Sequence, residues 1–241
     1  MRIPLFAMML SAPLLAAVAD LGTNAGPPPV ETRTIELPGG VPLEMRAVPG
    51  GPWMGTFEVT QAQWEAVLGN NPSAFKDPAR PVENVSWRMC RRFLQIINTL
   101  PAVREAGFVF RFPTNAEWEM ACRGGETNGV MPDTLANRAW FAENAGGSTR
   151  RVGMGEPNAL GFHDMLGNVW EWTTTGYAEV NPSAAQRLDL HHDYVLRGGS
   201  WKDSAADCLP DILDYDAAGS WDNDTGLRLC SDPPRPPKAA P

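Results

Sequence analysis

Gly167-Asn168-Val169-Trp170-Glu171-Trp172 sets two indoles on either side of one carboxylate, directly after a glycine and an asparagine. Only 9 of the 241 residues are tryptophan, so two of them in six positions mark a packed node. Glycine, acid and aromatic this close together follow neither the 3.6-residue period of an amphipathic helix nor the alternation of a half-buried strand. The segment reads as an irregular backbone pinned by tryptophan packing and by side-chain-to-backbone bonds. Arg197-Gly198-Gly199-Ser200-Trp201 brings similar residue types together again downstream.

Outward from this node the chain divides by composition. Residues 1–19 read as a secretory signal: Arg2, an apolar run over residues 5–15, and Ala17-Val18-Ala19 before Asp20. The run is short for a membrane span and Pro13 interrupts it; the alternative is a retained N-terminal anchor. Residues 20–34, with Pro27-Pro28-Pro29, read as a linker. Residues 232–241, with Pro233-Pro234-Arg235-Pro236-Pro237, read as a tail. That leaves 35–231 as one folded domain in a periplasmic or secreted protein, with no membrane span once the signal is removed. The net charge of −8 argues against a nucleic-acid partner, whose phosphates demand a basic face.

Three helices announce their starts. Thr60 precedes a run to Leu68 with Gln63 placed for a capping box and Gly69 as the stop. Ser86 caps a run expected to reach Leu100, with Cys90, Phe93, Leu94 and Ile97 on one face. Thr114 and Glu117 form a second capping box, and Gly124-Gly125 end that helix. Strands are expected at residues 43–48, 108–112 and 194–197. Residues 125–165 show little regular pattern, which in a compact domain points to function or to pinning by ions and disulfides.

Several further stretches complete a set of ordered motifs: residues 57–64 (FEVTQAQW), 81–87 (PVENVSW), 111–119 (RFPTNAEWE), 157–165 (PNALGFHDM) and Gly226-Leu227-Arg228. With the opening segment and Arg197-Gly198-Gly199-Ser200-Trp201, this order resembles the formylglycine-generating enzyme, or sulfatase-modifying factor, domain over about residues 50–230. The resemblance implies an α+β fold, irregular and low in secondary structure, of the C-type-lectin-like kind. It implies a family whose founding activity oxidises a cysteine of a protein substrate to formylglycine, using oxygen and a copper ion held by two thiolates.

The resemblance places the first active cysteine where this chain has Asp203, and the second at Cys208. Copper(I) is soft and binds poorly to a carboxylate, so copper is not expected; a residual catalytic site would comprise Cys208, Ser200 and Trp201. The resemblance also implies a structural disulfide between Cys122 and Cys230. Cys90 and Cys208 then remain as a second pair, bridged or free. Calcium is the cofactor expected from the family, held by Asn168 and Glu171 with the carbonyls of Leu166, Gly167 and Val169; such oxygen ligands on an irregular loop suit that ion. The competing reading pairs Glu171 with Arg197 or Arg228 and lets Asn168 cap a turn.

The other constellations carry less. His163 stands alone in a turn, and His191-His192 are adjacent residues that point apart. Trp64, Trp87, Trp118, Trp170, Trp172 and Trp201 belong to motifs and read as core; Trp140 and Trp221 lie in irregular stretches and read as groove lining. Two functional classes follow: a scaffold that binds a protein or a glycan without chemistry, and an oxidoreductase or maturation factor that acts on a protein or peptide.

Overall fold

The computed structural model describes residues 30–125, 132–181 and 193–235; the signal segment and His191-His192 lie outside them. Two four-stranded sheets form the frame. The first has the order β1-β2-β3-β8, with β1 (Thr32–Leu37), β2 (Val41–Ala47), β3 (Trp53–Gly55) and β8 (Cys230–Ser231). The second has the order β6-β5-β4-β7, with β4 (Trp170–Gly176), β5 (Asp193–Arg197), β6 (Leu213–Ala217) and β7 (Thr225–Gly226). Among the described residues seven short helices fill the connections: α1 (Gln61–Leu68), α2 (Trp87–Ile97), α3 (Pro101–Glu105), α4 (Asn115–Arg123), α5 (Pro132–Arg138), α6 (Ala142–Ala145) and α7 (Tyr177–Val180).

The helix starts stand where the sequence placed them. Thr60 and Thr114 each close a capping box, with Gln63 and Glu117, and Ser86 accepts from the Met89 N–H. Gly69 and Gly124 end α1 and α4 in the left-handed conformation, φ 73° and 56°. The second helix stops at Ile97 rather than at Leu100. Pro101 lacks an N–H to continue the ladder and begins α3 instead. Within residues 125–165 the chain forms α5 and α6, short helices that no sequence period marked.

Two strand readings change. Residues 108–112 form no strand; only Arg111 makes a bridge, to Cys230. The opening segment, read as irregular throughout, becomes β4 from Trp170 onward. Trp170, Glu171, Trp172 and Thr173 are all buried, so both faces of the strand are covered and no polar alternation could betray it. The irregular part is its lead-in, where Gly167 and Asn168 take φ 72° and 61°. A Cβ on Gly167 would stand within van der Waals overlap of the Trp140 backbone.

The domain edges also move. β1 begins at Thr32, inside the stretch read as linker, and the Arg235 N–H donates to Gly107 O at 3.1 Å, so the start of the tail is tied to the domain. Two hydrophobic clusters form the core. One centres on Trp64, Phe93, Ile97 and Trp172. The other contains Met54, Trp118, Cys122, Phe162, Cys208 and Cys230.

Candidate functional site

Arg228, between β7 and β8, is the side chain that joins the frame. It is fully buried. Nη1 donates to Gly55 O and Thr56 O, each at 3.0 Å, and Nη2 donates to His163 O at 2.9 Å and Asp164 O at 3.2 Å. Nε and Nη2 reach the Glu171 carboxylate, the closest contact being 2.7 Å from Nη2 to Oε1. Trp118 Nε1 donates to the other oxygen of Glu171 at 2.7 Å. Both sheets and the 163–164 loop thus meet on one guanidinium, whose planar fork matches such a set of acceptors.

Two more carboxyls lie beneath. Glu58 accepts from Asn168 Nδ2 at 2.6 Å and from the Val169 N–H at 3.2 Å. Asp164 accepts from the Gly153 N–H at 2.6 Å through one oxygen, while its other oxygen, Oδ1, is buried without a partner. Burial pushes the Glu58 carboxyl well above the usual carboxylate range, with Asp164 and Glu171 adding to the rise. Burial raises Asp164 too.

These contacts bear on the calcium expectation. Both Glu171 oxygens are committed to Arg228 and Trp118. Asn168 Oδ1 accepts from the Arg150 N–H at 2.8 Å, and Asn168 O accepts from the Trp201 N–H at 3.0 Å. A cation on Glu171 would stand against the Arg228 charge. Among the described residues no group of three or more His, Cys, Asp or Glu is placed to hold a metal ion. Asn168 and the Glu171 carboxylate, two of the ligands expected for calcium beside the carbonyls of Leu166, Gly167 and Val169, are thus engaged within the protein, and the alternative pairing of Glu171 with Arg228 is the one observed. Arg197 instead bonds Ile212 O and Pro210 O and faces Glu119 at 3.6 Å.

The positions that would hold copper are built for turn structure. The Ser200 hydroxyl donates to Asp203 Oδ2 at 2.5 Å and accepts from the Lys202 N–H at 3.2 Å. Cys208 is buried and its thiol faces Ser200 O at 3.7 Å. A Cβ on Gly199, φ 78°, would lie 2.5 Å from that sulfur. Burial first, then the Asp203 charge, push the Cys208 thiol up to about 12, so it is no thiolate near neutral pH. One thiol and one carboxylate, the latter held by Ser200, are a poor donor set for copper(I), which favours soft thiolates. Trp201 is half-buried; its Nε1 donates to Asn223 O at 3.0 Å and Phe75 meets its ring edge-on.

All four cysteines are buried and unbridged in this structure. Cys90 sits in the first core cluster and Cys208 in the second, so the fold does not bring that pair together. Cys122 and Cys230 share the second cluster, but the groups acting on them differ: Arg197 and Glu171 at Cys122, Arg111 and Glu117 at Cys230. The His163 ring lies against Phe57, tilted by 30° with 5.1 Å between ring centres. A cleft of roughly 860 Å³ between β2 and α1 is walled by Phe57, Pro42 and Pro78; none of Ser200, Trp201, Asp203 or Cys208 lines it. Sequence reasoning passed over Glu58 and Asp164. The one signal was that both acids stand inside the ordered motifs, at residues 57–64 and 157–165.

Residues 33–233 match the sulfatase-modifying factor enzyme 1-like domain. The chaperone protein LppX of Paenibacillus barcinonensis is 29% identical, over 73% of this chain and 79% of its own length. The formylglycine-generating enzyme of Thermomonospora curvata is 30% identical over 67% of this chain but only 57% of its own length, so the chain spans little more than half of that enzyme. Among solved structures, Treponema denticola variable protein 1 superposes with a TM-score of 0.69 at 26% identity, covering 84% of this chain and 99% of that one. The fold is the irregular α+β, C-type-lectin-like one that the motifs implied, and the chain belongs to the sulfatase-modifying factor, or formylglycine-generating enzyme, domain family.

Proposed function

We propose that this chain is an exported, protein-binding member of the family that performs no copper oxidation. The observation that carries this reading is the pair at the family's active positions. Asp203 is spent on Ser200 at 2.5 Å, and Cys208 is a buried thiol pushed up to about 12. A nucleophile needs the thiolate, which burial disfavours at Cys208; a metal would displace the proton, but copper(I) would meet one thiol where its chemistry calls for two. A protein is the favoured partner class, since the relatives include a protein named as a chaperone. Export rests on residues 1–19; among the described residues no helix is long and apolar enough to cross a membrane.

Native thiol labelling tests the reading. With an alkylating reagent at neutral pH, Cys208 stays unmodified in the folded protein and reacts after unfolding. Rapid labelling of Cys208 in the native state would return the oxidoreductase reading to first place. The same titration counts thiols: release of four on unfolding matches the structure, whereas release of two would reinstate the Cys122–Cys230 bridge.

A further inference from the structure

Along α2, Trp87, Arg91, Leu94, Gln95 and Asn98 line one wall of a cleft of roughly 650 Å³. Steps of three and four residues put them in one stripe down the helix. From Trp87 to Asn98 the rise is about 16 Å, so the cleft is elongated along the helix. Phe110, Phe112 and Thr174 stand on the facing wall. The floor is aromatic, with Trp87 stacked on Phe112 at 5.0 Å between ring centres. Its polar groups are already engaged: Trp87 Nε1 donates to Thr173 O at 3.0 Å, and Asn98 binds both the N–H and the carbonyl of Phe110, at 2.7 and 2.8 Å. The floor therefore offers apolar surface, and polar recognition falls to the rim.

The rim is cationic. Arg91 is exposed, and its guanidinium lies 5.9 Å from the centre of the Trp87 ring. Arg88 and Arg92 are exposed on the same helix. None of the three forms an ion pair or a side-chain hydrogen bond among the described residues. Seven arginines elsewhere each face a carboxylate; Arg111, on the wall of the cleft, is one of them, held by Glu117 and Asp232. In a chain of net charge −8, three neighbouring cations without an acid are a local exception, and their complement is a negatively charged partner. The shape narrows that partner. A cleft about 16 Å long takes about five residues of extended chain. An apolar floor below a cationic rim matches one apolar side chain flanked by carboxylates, whereas a flat anionic surface would touch the rim alone.

We propose that this cleft binds an extended acidic segment of a protein partner, with an apolar side chain on the Trp87–Phe112 floor and a carboxylate on Arg91. Arg88 and Arg92 add attraction beside it. The proposal rests on the protein-binding reading above, yet the two fail separately: copper-dependent oxygen uptake would end that reading and leave this cleft standing, and lack of peptide binding would do the reverse.

The test is fluorescence anisotropy at low salt with the full chain and fluorescein-labelled Glu-Glu-Leu-Glu-Glu. The parent binds this peptide at least about tenfold more tightly than labelled Glu-Glu-Gly-Glu-Glu, because the leucine is buried. Arg91→Gln weakens binding about fivefold, the upper end for a partly exposed ion pair. Gln95→Glu leaves Arg91 in place but sets a competing carboxylate one turn away, and weakens binding to a similar degree. Both positions are exposed, so the melting temperature stays at the parent value. Arg33→Gln, the same loss of charge on β1, leaves binding unchanged. The proposal is overturned if the leucine and glycine peptides bind alike, which would reduce the site to a charged ridge, or if Arg33→Gln weakens binding as much as Arg91→Gln, which would indicate diffuse charge. It is also overturned if phosphatidylglycerol vesicles displace the peptide, which would make the partner a lipid surface, or if the leucine peptide does not bind.

Discussion

Glu171 and Arg228 are 1% and 0% exposed at their side chains, and each satisfies the other where water cannot. Taking one partner away leaves a buried charge, which costs about 3–5 kcal/mol. Glu171→Gln should lower the unfolding free energy by that amount in a denaturant titration; a loss within the roughly 0–1 kcal/mol of an exposed pair would contradict the hub. Glu58 behaves differently because it has no cation of its own. Its carboxyl and that of Asp164 are raised by burial, so the folded state holds protons that the unfolded chain releases. The stability this contributes is full below the ordinary carboxylate range of ~4 and is lost as pH rises through the raised folded values. Glu58→Gln should therefore flatten the decline of the melting temperature on the alkaline side. Calcium that abolished the decline in the parent, and failed to do so in Asp164→Asn, would show that a cation takes the proton's place.

At the scale of the element, α4 shows how much was legible. Thr114 and Glu117 cap it through bonds confined to four residues, so spacing alone revealed them. The structure adds Arg111, whose Nη1 and Nη2 grip the Glu117 carboxylate at 2.8 and 2.7 Å. That grip, chiefly, holds the Glu117 carboxyl down at about 2. A depressed value contributes stability that is present above the ordinary glutamate value of ~4.3 and is lost as pH falls toward about 2. Glu117→Gln should shrink the acid limb of the melting-temperature profile, and an unchanged limb would contradict the assignment. β4 escaped detection for the opposite reason. Its ladder partners, β5 and β7, come later in the chain, and residues 170–173 are buried on both faces of the sheet, so no local period survived. Arg228 was legible only as one of two alternatives for Glu171; its carbonyl partners at 55–56 and 163–164 are distant in sequence and announce nothing locally.

For the whole molecule, the frame is that of the family, built from two sheets, capped helices and the Arg228 hub, while, on the proposal above, the paired-thiol centre is replaced. The loop after Ser200 uses Asp203 and Cys208 to close a turn and fill the core. Aspartate at that position was readable from the sequence, but its bond to Ser200 and the burial of Cys208 were not, because both depend on how the loop folds back on Gly199. Binding of copper(I) under anaerobic conditions, followed by oxygen uptake with a cysteine-containing peptide, addresses the central claim most directly. The account predicts no stoichiometric copper(I) binding that depends on Cys208, and no oxygen consumption above a Cys208→Ser control. Tight one-to-one binding lost in Cys208→Ser, with oxygen uptake on the peptide, would contradict it.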